Sequence, residues 1–86
     1  MYWVYILKSK TNNSLYTGST SDLQRRIKEH NAGKSISTKR YLPWTIIYVE
    51  GYFSKEDALR REHNLKHSGK AYGQLKGRIE NSLRCP

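Results

Sequence analysis

Tyr2 to Lys8 is an apolar and aromatic run rich in β-formers, and Leu15 to Thr17 is a second, shorter one. Between them stands Thr11-Asn12-Asn13-Ser14, a cluster that tolerates positive φ and marks a turn. The pattern predicts a β-hairpin at the very start of the chain. With 86 residues in all, a domain of this size hides only roughly 60–65% of its unfolded surface. Its core must therefore be compact, and the remaining segments have to pack on that hairpin.

The rest of the chain divides by its caps. Ser21-Asp22-Leu23-Gln24 is a capping box in which the Ser21 hydroxyl accepts from the backbone N–H three residues on. Leu23 and Ile27 form an i, i+4 apolar pair, and Gly33 stands where a C-terminal cap is needed, which predicts a helix over 22–32. Lys34 to Leu42 is polar and basic without periodicity, a loop. Trp44 to Tyr52 is long and β-branched enough for a central strand. Ser54-Lys55-Glu56-Asp57 opens a second helix, with Gly69 as its expected end, and Tyr72, Leu75, Ile79 and Leu83 recur at helical spacing in a third. Gly73 and Gly77 weaken that last helix by about 1 kcal/mol each relative to Ala. The order β-β-α-β-α-α predicts one α/β domain over 1–86, a small three-stranded antiparallel sheet flanked by helices.

Composition narrows the function classes. Sixteen Lys or Arg against seven Asp or Glu leave +9. From Arg60 onward there are seven basic residues and two acidic ones, so +5 of that excess lies in the last third. Such a balance suits a polyanionic partner, since each neutralised phosphate releases counterions, or else a solvated basic surface. Cys85 is the only cysteine, which excludes an internal disulfide and fits a reducing compartment or an incidental thiol. No apolar run approaches the ~20 residues that span a bilayer, and Met1-Tyr2-Trp3 runs straight into a strand without a secretory leader. A cytoplasmic location without membrane contact is the expectation.

Several residues stand out as carriers of chemistry. In a hairpin with an even-length turn, paired residue numbers sum to an odd value, so Tyr5 and Tyr16 point to the same face. Two tyrosines on one face serve packing as readily as proton transfer. Arg26 and His30 are i, i+4 on the first helix, at the edge of its inward stripe, where both can reach a bound phosphate. Glu62 is the sharpest anomaly. It falls with Ala58 and Leu65 on the stripe of the second helix that should face the sheet. An inward carboxylate needs a partner, and two fit equally: a divalent metal, or an ion pair with Arg26. One carboxylate suffices for Mg²⁺ completed by waters and substrate phosphate. His63 and His67 are also i, i+4, but two ligands fall short of a zinc site; the chain has no CxxC, HExxH or Walker-type Gly-Lys-Ser/Thr element.

Taken together, Trp3-Val4-Tyr5, Tyr16-Thr17-Gly18, the run Gly18 to Ile27 with His30, and Ala58-Leu59-Arg60-Arg61-Glu62 ahead of Leu65-Lys66 resemble the GIY-YIG nuclease family over the whole chain. The likeness is to short stand-alone bacterial members, to the nuclease domain of the nucleotide-excision repair incision subunit and to phage homing endonucleases. It implies a divalent-metal-dependent DNA endonuclease, with DNA repair as a setting. Carried over, Glu62 binds a single Mg²⁺ or Mn²⁺, Arg26 contacts the scissile phosphate, and Tyr5, Tyr16 and His30 surround the nucleophile. A tyrosine acting as base needs its pKa lowered by Arg26 or metal. The cations expected to meet duplex, branched or single-stranded DNA are Arg25, Lys34, Lys39, Arg40, Arg61, Lys66, Lys70 and Lys76. With no appended domain, little sequence preference is expected.

The chain departs from the family pattern in named places. Trp3 replaces the first motif glycine and Thr17 an aliphatic residue. Ser19 stands where repair-type members carry a lysine, and Gln74 where many relatives have an asparagine. The competing expectation is a nucleic-acid-binding module that keeps the fold without turnover.

Overall fold

Val4, Tyr5, Ile6 and Leu7 are each no more than 2% exposed. Successive strand residues point to opposite faces, so this strand is covered on both and must be the middle one. It is β1 (Tyr2–Ser9), paired antiparallel with β2 (Leu15–Thr20) on one side and β3 (Trp44–Tyr52) on the other, giving the order β2-β1-β3. The computed structural model describes residues 1–84; Cys85, whose thiol was considered above, lies outside the described residues.

The expectation that Trp44 to Tyr52 is central is therefore corrected. β3 is an edge strand with Val49 exposed, and a one-residue irregularity opposite Ile6 and Leu7 bends it. Length and β-branching suit an edge as well as a centre. Burial on both faces is what distinguishes the two, and only β1 has it.

The alternation of β1 divides the core. Val4 and Ile6 meet Ala58, Leu65, Leu75 and Ile79, from helices α2 (Lys55–His67) and α3 (Gly69–Arg78) and the residue that follows. Tyr5 and Leu7 join Trp44 on the opposite face, beneath Leu23 and Ile27 of α1 (Leu23–Asn31). The three-stranded antiparallel sheet with flanking helices is the α/β arrangement expected from pattern, with helices on both of its faces.

Local chemistry explains most boundaries. Asn13 takes the positive φ of the hairpin turn, at 61°. The fully buried Ser9 hydroxyl accepts from Thr11 N–H and Asn12 N–H at 3.2 and 3.3 Å, and donates to Tyr41 O at 2.7 Å. α1 is capped by Asp22, one residue later than expected: its Oδ1 accepts from Arg25 N–H at 3.1 Å, while Thr20 Oγ1 holds Asp22 N–H at 3.1 Å. Gly33, at φ 75°, ends that helix in the left-handed conformation. Ser54 caps α2 as expected, accepting from Asp57 N–H.

Two other expectations change. Ser68, not Gly69, separates α2 from α3: its N–H donates to Asn64 O at 2.8 Å and its Oγ accepts from Ala71 N–H at 3.2 Å. Gly69 thus opens a helix instead of closing one. The final helix breaks at Ile79, leaving a single turn, α4 (Glu80–Leu83). The loop after α1 contains a short 3₁₀ turn, Lys39–Tyr41. Among the described residues no helix is long and apolar enough to cross a membrane.

Candidate active site

The hairpin register pairs Tyr5 with Gly18 and Leu7 with Tyr16, so the two phenols lie on one face at neighbouring positions. Their ring centroids are 6.4 Å apart with a 39° tilt. Gly18 makes the approach possible. A Cβ there would fall 2.5 Å from Tyr5 Oη and 3.1 Å from Tyr16 Cε1, closer than van der Waals contact allows. Glycine is required at this position by the crossing phenol, whatever its backbone conformation.

His30 descends on the pair from the last turn of α1 and is fully buried. Its ring meets Tyr5 and Tyr16 edge-on at 5.9 and 5.1 Å. Nε2 lies 2.9 Å from Tyr5 Oη, and Nδ1 lies 2.7 Å from Thr38 Oγ1, itself fully buried. Arg26, one turn earlier, is held by Glu29 at 3.1 Å, and its charge reaches the Tyr5 phenol. The one hydrogen of the neutral His30 ring serves either Tyr5 Oη or Thr38 Oγ1, and the hydroxyl on the other side donates to the bare nitrogen.

Burial pushes the Tyr5 phenol up to about 12, outweighing the Arg26 hydrogen bond that pulls it down; Tyr16 and Glu62 push it further up. Burial, with Arg26 beside it, holds His30 below the ordinary imidazole value, against the opposing Glu29 charge. Arg26 does pull the Tyr5 phenol down, as expected, but burial outweighs it and the net shift is upward. Desolvation of a phenolate costs more than one partly exposed guanidinium returns.

Glu62 comes from the opposite face. Ala58 and Leu65 are buried in the core, and the Glu62 side chain between them is 18% exposed, so the stripe points inward as its spacing requires. The predicted Arg26 partner is replaced: Oε1 accepts from the Ser19 hydroxyl, and Oε2 pairs with Lys66 Nζ at 2.7 Å. Lys66 is i+4 from Glu62 on α2, whereas Arg26 is taken by Glu29. The Lys66 ammonium also stands 5.8 Å from the centre of the Tyr16 ring. Glu62 and Arg26 both act on the Tyr5 phenol electrostatically, Glu62 raising its pKa and Arg26 lowering it. The two tyrosines, His30, Arg26, Glu62 and Lys66 therefore gather at the β2 edge around Gly18.

The remaining predicted cations lie elsewhere. Arg61 pairs with Glu50, which receives its Nε and Nη2 at 2.9 and 3.0 Å together with the Tyr48 and Tyr52 hydroxyls. That cluster ties α2 to β3. Lys76 stands over the Tyr72 ring at 5.0 Å. Arg25, Lys34, Lys39, Arg40 and Lys70 are exposed, as is Gln74 on α3.

Thr38 escaped sequence reasoning, because a threonine within Ser35-Ile36-Ser37-Thr38-Lys39 carries no periodicity that would mark it as buried. Glu29 was missed also, although its i+3 spacing from Arg26 was available as a signal.

The donor set can be tested against the implied cation. Among the described residues no group of three or more His, Cys, Asp or Glu could enclose a metal. Glu62 borders a shallow depression with Leu59, His63, Lys66 and His67. One reachable carboxylate leaves most coordination positions to water and a substrate phosphate, which suits Mg²⁺ or Mn²⁺ and not a closed protein cage.

Comparison with known proteins is consistent with this geometry. The GIY-YIG catalytic domain matches residues 1–76. The UPF0213 protein SH2523 of Staphylococcus haemolyticus is 47% identical over 66 residues, covering 76% of this chain and 79% of the relative. The UPF0213 protein VNG_2274C of Halobacterium salinarum is 39% identical over 72 residues, 83% of this chain and 92% of its own. The solution structure of the UPF0213 protein BH0048 from Bacillus halodurans superposes with a TM-score of 0.56 at 40% identity, over 90% of this chain and 84% of that one. With the paired tyrosines, the α1 arginine and histidine and the α2 glutamate in one edge site, this chain belongs to the GIY-YIG nuclease family.

Proposed function

We propose that the protein is a divalent-metal-dependent endonuclease that hydrolyses DNA phosphodiester bonds with a single metal and little sequence preference. The observation that carries this reading is the meeting of two phenols, an imidazole, a guanidinium and a carboxylate around Gly18, from four separate elements. Packing accounts for aromatic pairs. It does not account for an inward carboxylate whose charge reaches Tyr5.

Glu62 is the residue that would hold Mg²⁺ or Mn²⁺, which supplies Lewis-acid polarisation of the phosphate and stabilisation of the leaving 3′-oxygen. Arg26, oriented by Glu29, donates to the non-bridging oxygens as their charge grows. Tyr5 keeps its proton and, locked to His30, forms a rigid wall that orients the attacking water. Tyr16 meets His30 only edge-on and is half-buried, so it is the phenol placed to lose its own proton to solvent and then, as phenolate, to take the proton from that water. Lys66 supplies a positive charge beside both Glu62 and Tyr16, in the region where repair-type relatives place the lysine that Ser19 replaces.

The test is nicking of duplex, branched and single-stranded DNA with Mg²⁺ or Mn²⁺. Glu62→Ala should abolish nicking while DNA binding in the absence of metal persists. Equal nicking by that variant would defeat the proposal.

A second reading is favoured by one observation: both Glu62 oxygens already have protein partners. A nucleic-acid-binding module without turnover would show salt-dependent binding, no cleavage with any metal, and no calorimetric heat from Mn²⁺ that depends on Glu62.

A further inference from the structure

The loop between α1 and β3 carries an exposed isoleucine where turn chemistry disfavours one. Thr38 N–H donates to Ser35 O at 3.2 Å, closing a turn with Ile36 and Ser37 at its tip. Such positions favour Gly, Pro, Asn, Asp and Ser. Ile36 is nevertheless 84% exposed. Isolated exposed apolar residues are ordinary on protein surfaces, so exposure by itself carries nothing.

Two further observations give the position meaning. The first is charge. Lys34, Lys39 and Arg40 flank Ile36, all exposed, and none enters an ion pair among the described residues. Phe53, 90% exposed, is the contrast: it precedes Glu56 and Asp57. The second is anchorage. Directly after the tip, Thr38 is fully buried; its hydroxyl holds His30 Nδ1 at 2.7 Å, and its carbonyl accepts from Trp44 Nε1–H at 2.7 Å. Two hydrogen bonds in series thus join the base of the loop to Tyr5. Ile36 is two residues from Thr38, a reach of at most about 7 Å. The tip accordingly lies no more than about four base steps from a phosphodiester at the phenols.

We infer that Ile36 is an apolar wedge that enters the base stack of DNA at unpaired or weakly stacked positions, with Lys34, Lys39 and Arg40 clamping the flanking phosphates. A cation-flanked apolar side chain on a rigid support is the arrangement by which proteins open a base step, and the cost of unstacking is lowest where pairing is already lost. The loop then makes the chain prefer distorted over intact duplex DNA without reading sequence. The inference rests on the nuclease reading for its substrate, and it defines the class of DNA that this site would receive.

The test uses the full chain in metal-free buffer, where no cutting occurs, with 2-aminopurine-labelled duplexes that are either intact or carry a central unpaired bulge. Wild type should bind the bulged DNA more tightly and brighten the probe. Ile36→Ser should weaken bulged binding about five- to tenfold, remove the brightening and leave intact-duplex binding within about twofold. Arg40→Ala should weaken both substrates alike and lower the salt dependence. Phe53→Ser should change neither. Unchanged discrimination in Ile36→Ser overturns the inference, as does tighter binding of the matching bulged RNA. A nicking assay with metal separates the two readings: discrimination without cleavage defeats the nuclease proposal alone, and cleavage with Ile36→Ser discriminating as wild type defeats the wedge alone.

Discussion

Replacing Thr38 with Val exchanges a hydroxyl for a methyl of nearly the same shape in a fully buried position. The packing survives, and the hydrogen bond to His30 Nδ1 at 2.7 Å does not. A tautomer change offers His30 no escape, because Nδ1 has no other partner than the Thr38 hydroxyl. Whether it carries the hydrogen or the lone pair, the variant leaves a buried polar nitrogen unsatisfied, at a cost of about 1–3 kcal/mol. For a domain of this length each kcal/mol lowers Tm by roughly 4–8 °C. Thermal and urea unfolding near neutral pH measure the loss, with the exposed neighbour Ser37→Ala as control. Imidazole ¹⁵N spectra should show an altered Nδ1 resonance in the variant. A variant within about 0.5 kcal/mol of wild type, with His30 spectra unchanged, would refute the role given to the His30–Thr38 hydrogen bond.

Gly18→Ala places a Cβ 2.5 Å from Tyr5 Oη, so the phenol must leave His30; we expect a loss of nicking of about a hundredfold with the fold retained, read from cleavage rates and circular dichroism. Gly73 and Gly77 have open space where a Cβ would stand, and each Gly→Ala change should stabilise by about 0.5–1 kcal/mol in denaturant titrations, additively if α3 is as helical as described. Because burial holds the folded His30 pKa below the unfolded value of about 6.5, the unfolded chain takes up the proton first on acidification. Stability is then full above that value and is lost as pH falls from it through the folded pKa; His30→Gln should flatten this part of the profile, and an unchanged profile would contradict it.

Elements written in local chemistry were legible before any coordinates. The Asn-rich turn, the Ser54 cap, the Gly33 stop and the Ala58-Glu62-Leu65 stripe depend on neighbours at most a few positions away, and each stands where its spacing put it. The parity that set Tyr5 and Tyr16 on one face followed from the two-residue repeat of a strand. Ser21 was expected as the cap of α1 and Gly69 as the stop of α2, and in each case the adjacent residue, Asp22 or Ser68, took the role because its own side-chain oxygen reaches the helix N–H groups.

The centre of the sheet, the cation beside Glu62 and the protonation of Tyr5 were decided in three dimensions. β1 is central because helices cover both of its faces, a property of the packed layers and not of the strand's own residues. Arg61 serves Glu50 and Lys66 serves Glu62, although the two cations look alike in the chain, since side-chain direction on α2 decides which carboxylate each can reach. Burial under α1 raises the Tyr5 pKa against the pull of Arg26. Short-range preferences name the residues of this site, whereas desolvation and pairing arise only once distant segments exclude water from the same small volume.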